Sequence, residues 1–183
     1  MTGFLHRRQS NKQNTIKKDI EHSKDLIISQ AIEFHLQGNI SEAVRYYKYC
    51  LDQGFNDPKV FSNYGAILQD QGKPKEAANL YRKAIQLKPD VAEFHSNLGN
   101  TLRDLGKSEE AEISTRKAIK LNPNFANSHS NLGLILRDLG KLEEAETSTR
   151  QAIKLNPASA DAHTNLGNIL RDLCKSEEAE IST

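Results

Sequence analysis

Three histidines stand 34 residues apart, at His95, His129 and His163. Imidazole is the commonest metal ligand and an ordinary general base, so the row raises a metal site and a hydrolytic site together. Spacing speaks against the metal. Ligands on one zinc lie about 2 Å from it, whereas side chains repeated once per helical unit sit on stacked helices roughly 8–10 Å apart. Single histidines so placed read as core or half-buried residues. Cys50 and Cys174 lie 124 positions apart and form no metal or redox motif. Serines, threonines and glutamates are present, yet no nucleophile–base–orienter set stands outside the recurring pattern, and the glycines are too far apart for a phosphate loop. The sequence is therefore expected to carry no catalytic residues, no metal and no cofactor. A second row, Asn63, Asn97, Asn131 and Asn165, offers different chemistry. Each amide has one acceptor and two donors, which suits an extended peptide backbone.

Bulk properties narrow the class. The chain has 183 residues, 25 Lys plus Arg, 24 Asp plus Glu and a formal charge of +1. Such a balance sets up no strong field toward DNA, RNA or an anionic membrane. Apolar runs are too short to span a bilayer or to form a signal-peptide core. Two distant cysteines suit a reducing compartment, and the expectation is a cytoplasmic protein.

These rows exist because the chain repeats. Ala92–Phe125 and Ala126–Ser159 are identical at 25 of 34 positions. The same period takes in Lys24–Asp57, Pro58–Val91 and a partial copy over 160–183. Within a unit, Leu98, Leu102 and Leu105 fall on one helical face. Gly106 can take the left-handed conformation that stops a helix. Ser108, Glu109 and Glu110 open a second helix, where carboxylates suit the helix dipole. Asn122-Pro123 ends it, since the residue before proline avoids helical angles. Gly99 and Ala111 let the two helices approach, and Ala118 admits the next unit. The expected fold is all-α. One such hairpin cannot bury its apolar face, but about three stacked ones can.

A 34-residue helix-turn-helix with these residues resembles the tetratricopeptide repeat family. The family's eighth position is small, as at Ala31, Gly65, Gly99, Gly133 and Gly167. Its twentieth is alanine, as at Ala43, Ala77, Ala111, Ala145 and Ala179. Its twenty-seventh is small, at Cys50, Ala84, Ala118 and Ala152, and its thirty-second is proline, at Pro89, Pro123 and Pro157. Phe55 departs from this. So do His95, His129 and His163 at position 4 and Thr115, Thr149 and Thr183 at position 24, where aromatics are usual. A smaller, more polar and looser core is expected there than in the unit that keeps Phe61 and Tyr81. The resemblance implies a right-handed α-solenoid whose first helices line a concave groove for an extended segment of another protein.

On that implication the groove carries Asn63, Asn97, Asn131 and Asn165, with Asn100 and Asn168 at position 9. Arg103, Arg137 and Arg171 follow at position 12, preceded by Gln69, and Asp70, Asp104, Asp138 and Asp172 stand beside them. Two readings of the charged rows stay open: they bind a ligand, or they pair with each other on a solvated face.

The expected organisation is a polar, basic lead-in over 1–23, flexible or partly helical, followed by repeats over 24–183. The lead-in has five cations against two carboxylates, leaving 20 against 22 in the repeats. Thr183 falls inside the second helix of unit five, with no capping helix after it. Cys174 replaces the turn glycine of Gly72, Gly106 and Gly140, so this unit is expected to be the least stable. The main functional expectation is a non-catalytic protein–protein interaction scaffold that binds a peptide and neither nucleic acid nor membrane. The alternative is the N-terminal recruiting arm of a larger enzyme, because similar arrays precede glycosyltransferase- or sulfotransferase-like domains. A third expectation is self-association through the uncapped C-terminal repeat.

Overall fold

The structure, a computed structural model, describes residues 23–181, with side chains as far as Cys174. The basic lead-in expected over 1–23 lies, apart from Ser23 at the start of the first helix, outside the described residues. The described backbone holds nine helices and no strand. They are α1 (residues 23–36), α2 (Ile40–Asp52), α3 (Pro58–Asp70), α4 (Pro74–Leu87), α5 (Ala92–Asp104), α6 (Ser108–Leu121), α7 (Ala126–Asp138), α8 (Leu142–Leu155) and α9 (Ala160–Ile181). This is an all-α helical repeat solenoid by class. No helix among the described residues is long and apolar enough to cross a membrane.

Local chemistry accounts for the boundaries. Gly72, Gly106 and Gly140 all have φ near +72°, a conformation that residues with a β-carbon avoid. Glu109 and Glu110 sit in the first turn of α6, and Asn122 after its last turn is extended ahead of Pro123. Contacts divide the chain into two units, one ending at Tyr64 and one starting at Gly65, inside α3. In the first, Tyr47 is fully buried, with ring neighbours His35 at 6.2 Å and Tyr64 at 6.1 Å. Burial pushes the Tyr47 hydroxyl up to about 12. Cys50 is also fully buried, and burial first, then the Asp57 carboxylate, pushes its thiol upward. A buried thiol held protonated is a poor nucleophile.

The second unit is built on small residues. Ala77, Ala84, Ala111, Ala118, Ala145 and Ala152 are all within one per cent of fully buried. Thr115 and Thr149 are fully buried at the positions where Tyr81 stands one unit earlier. The core is thus more polar, as expected, but the hairpins are not looser. A β-carbon on Gly65 would meet only the Tyr81 ring within 3.4 Å. On Gly99 or Gly133 it would collide with Thr115 Oγ1 or Thr149 Oγ1 and come within 3.2 Å of the Ala111 or Ala145 carbonyl. The smaller side chain is offset by closer helices.

The fifth unit departs from the hairpin expected of it. No helix ends at Cys174; α9 runs unbroken for 22 residues. No non-glycine residue among those described has positive φ. The expected strain at Cys174 therefore does not arise, because the chain continues as helix where glycine would have let it turn.

Candidate functional site

The histidine row is used inside the fold. In each of three units the ring Nε2 lies against the carbonyl of the proline six residues earlier. The distances are 2.8 Å for His95 and Pro89, 2.9 Å for His129 and Pro123, and 3.0 Å for His163 and Pro157. A carbonyl only accepts, so Nε2 carries the proton and donates. The imidazole ties each new first helix to the loop that delivers it. Ser114 and Ser148 donate in turn to the His95 and His129 carbonyls, both at 3.0 Å, joining second helix to first.

The charged rows also face each other. Arg103 Nε donates to Asp138 Oδ2 and Arg137 Nε to Asp172 Oδ2, each at 2.6 Å. Gln69 Nε2 donates to Asp104 at 2.9 Å, and Gln69 Oε1 accepts from Thr101 at 2.8 Å. The bonds to Asp104, Asp138 and Asp172 join position 12 of one unit to position 13 of the next, and Thr101 stands at position 10. Arg171 donates within its own helix, to Asn168 Oδ1 at 2.6 Å. Of the two readings left open for these rows, pairing is the one seen at Arg103 and Arg137.

The asparagine row shares one hollow. Asn97 of α5, Asn131 of α7 and Asn165 of α9 line a basin of about 380 Å³. Its apolar wall includes Phe125 and Leu134, and among the described residues that line it Asp161 is the one ionisable group. Asn131 Nδ2 donates to Ser96 Oγ at 3.3 Å, and Asn165 Nδ2 donates to Ser130 Oγ at 3.2 Å. Each amide thus turns its nitrogen toward the preceding first helix. Asn63 lies half-buried on α3, in the first unit. Asn100 and Asn168 are half-buried on α5 and α9 and do not line the basin.

Sequence reasoning missed the serine that precedes three of the four asparagines, although Ser62, Ser96 and Ser130 recur with the same period and only Thr164 departs from it. It also missed a larger cleft of about 680 Å³ between α6, α7 and α8, with Leu132 and Leu136 beneath and His129 and Arg116 at its edge. A smaller cleft of about 330 Å³ repeats it one unit earlier, on Leu98, Leu102, His95 and Arg82. Beside them runs an ion-pair network. Glu112 accepts from Arg116 at 2.9 Å and from Lys141 at 2.8 Å, and Arg116 also reaches Glu144 at 2.8 Å. These cations hold the Glu112 carboxyl below its usual value, the Lys141 hydrogen bond contributing most.

Family models agree with the repeat geometry. A model described as TPR repeat matches residues 65–106 and 133–173. Models described as tetratricopeptide repeat match residues 25–51, 92–125 and 115–147. No curated protein sequence matches the chain. Among solved structures, the first TPR of Spaghetti (RPAP3) bound to the HSP90 peptide SRMEEVD is 27% identical with a TM-score of 0.61, covering 64% of this chain and 93% of that one. The first TPR domain of human RPAP3 is 27% identical with a TM-score of 0.64, covering 66% and 95%. The MamA protein has a TM-score of 0.72 over 85% of each chain, and at 22% identity the likeness is one of fold.

Proposed function

This chain belongs to the tetratricopeptide repeat family, and we propose from that premise that it is a non-catalytic interaction scaffold holding an extended segment of a partner protein. The observation that carries this reading is the basin over α5, α7 and α9, where Asn97, Asn131 and Asn165 converge on one hollow. Amides spaced by one repeat, roughly 8–10 Å, meet about every third peptide group of an extended chain without reading side chains. A structural relative, the first TPR of Spaghetti, is solved with a bound peptide, which supports peptide capture as the mode.

Magnitudes limit what the amides do alone. Three net hydrogen bonds give roughly 1.5–4.5 kcal/mol, millimolar affinity at best by themselves. Side-chain anchors must supply the rest, and Phe125 and Leu134 are the apolar surface the basin offers. Asn63 belongs to the first unit and is left out of the proposed site. Arg103 and Arg137 are assigned to joining repeats. Tetratricopeptide repeats are generally interaction modules, and we extend this to the whole chain as lacking catalytic activity. The compartment proposed is the cytoplasm, supported by free Cys50 and Cys174.

The test is selection of a random 12-residue displayed peptide library on the full chain and on the Asn97→Ala/Asn131→Ala variant. Enriched peptides should bind the variant at least tenfold more weakly while its circular dichroism is unchanged. Equal binding by a folded variant would remove the basin from the function.

A further inference from the structure

We infer that the segment this basin takes is basic, with lysine or arginine set among polar residues. The inference rests on the groove reading above and adds the chemistry of the partner. Its ground is an imbalance of donors and acceptors. Asn131 and Asn165 spend one of their two amide N–H groups on Ser96 and Ser130, which leaves each with a single N–H and an Oδ1 of two lone pairs. Asp161 brings a carboxylate to the same hollow, and among the described residues no ion pair involves it.

Two cations of this face are already paired, Arg103 with Asp138 and Arg137 with Asp172. Arg171 and Asp104 each meet a neutral amide, Asn168 and Gln69, so each keeps its charge and the two offset. Asp161 is left over, and it makes the surface that meets a ligand in the basin negative. Ammonium and guanidinium groups are all donor and no acceptor, and they carry the complementary charge. A carboxylate-rich segment would meet Asp161 with no spare cation beside it. Like charges brought together across an interface select against that partner. The peptide in the Spaghetti structure, SRMEEVD, carries three carboxylate side chains and one arginine. The chemistry assigned here is opposite.

The test uses three dye-labelled 12-residue probes of serine and asparagine, each with two leucines as anchors for the Phe125 and Leu134 wall, carrying three lysines, three glutamines or three glutamates. Fluorescence anisotropy on the full chain should rank them lysine, glutamine, glutamate, with at least tenfold between the ends. Salt should erase the ranking. Asp161→Asn should shrink the lysine advantage several-fold, and Asp161→Lys should abolish or reverse it. Asp161 is exposed, and the asparagine variant keeps the shape of the side chain. If glutamate binds as tightly as lysine, or the ranking survives both substitutions, the basic partner is wrong. If all three probes bind alike and all weaken in the Asn97→Ala/Asn131→Ala variant, the groove reading stands and the charge inference alone falls. If no probe binds, or binding ignores the double substitution, both fall.

Discussion

Gly99 and Thr115 pack so closely that no β-carbon fits between them. One placed on Gly99 would strike Thr115 Oγ1 and stand 3.2 Å from the Ala111 carbonyl. The same relation holds for Gly133 and Thr149. Threonine at this position and glycine opposite are two halves of one approach between paired helices.

Gly99→Ala should therefore destabilise the chain by about 1–3 kcal/mol, the usual range for overpacking. Thr115→Ala should restore part of that loss, because it removes the colliding oxygen, which itself lacks a hydrogen-bond partner. The Ala111 carbonyl remains, so rescue should be incomplete. A double-mutant cycle from urea unfolding reads the coupling. Additive effects would mean that the two residues do not constrain each other.

Cys174→Gly should restore a turn that the other units possess. Residues 171–177 then gain the left-handed option used by Gly106 and Gly140, and a glycine inside the helix costs about 1 kcal/mol relative to alanine. Backbone chemical shifts should lose helical character at residues 173–175 while α7 and α8 keep theirs. Helical shifts running unbroken through residue 174 in the variant would show that something other than the missing glycine keeps α9 continuous.

These two sites show what could be read in advance. Gly106 as a helix stop and Asn122-Pro123 as a helix end depend on the backbone preferences of one or two residues, and both were legible. So was the helix face of Leu98 and Leu102. The contact of Gly99 with Thr115 is half legible: Gly99 and Ala111 predict a close approach of the helices, while threonine in place of an aromatic predicts a looser pair than the one formed. His95 bonding to Pro89, and Asn131 to Ser96, were not legible. Each depends on how one unit registers against the next, or on where a loop carbonyl points. The unbroken α9 shows the same limit from the other side. Similarity to earlier units suggested a turn, while the local absence of glycine at Cys174 decided for helix.

Glu112 makes stability depend on acid. Lys141 and Arg116 hold its folded carboxyl below the ordinary 4.5. Between the two values the unfolded chain binds the proton that the folded chain releases, so stability rises with pH there. The contribution is complete above the ordinary value and disappears as pH falls through the lowered one. Glu112→Gln should lower the melting temperature at neutral pH and flatten its fall as pH drops below the ordinary 4.5. Parallel melting curves for variant and parent across that window would contradict the assignment.

The pairs Arg103–Asp138 and Arg137–Asp172 link stability to ligand choice. Their side chains are 27–34% exposed, so each pair should contribute no more than about 1 kcal/mol. Arg103→Gln/Arg137→Gln should thus cost less than about 2 kcal/mol at low salt and less still in 1 M salt, where screening acts within about 3 Å. The same change leaves Asp138 and Asp172 without their arginines. If the face is negative once its own cations are removed, the lysine-bearing probe should bind this variant more tightly than the parent, and the glutamate-bearing probe more weakly. Thermal melts and anisotropy on one preparation separate the two effects. Unchanged melting would mean that the pairs are neutral to the fold. Unchanged probe binding would mean that their carboxylates do not reach the ligand, leaving Asp161 and the asparagine oxygens to set its charge.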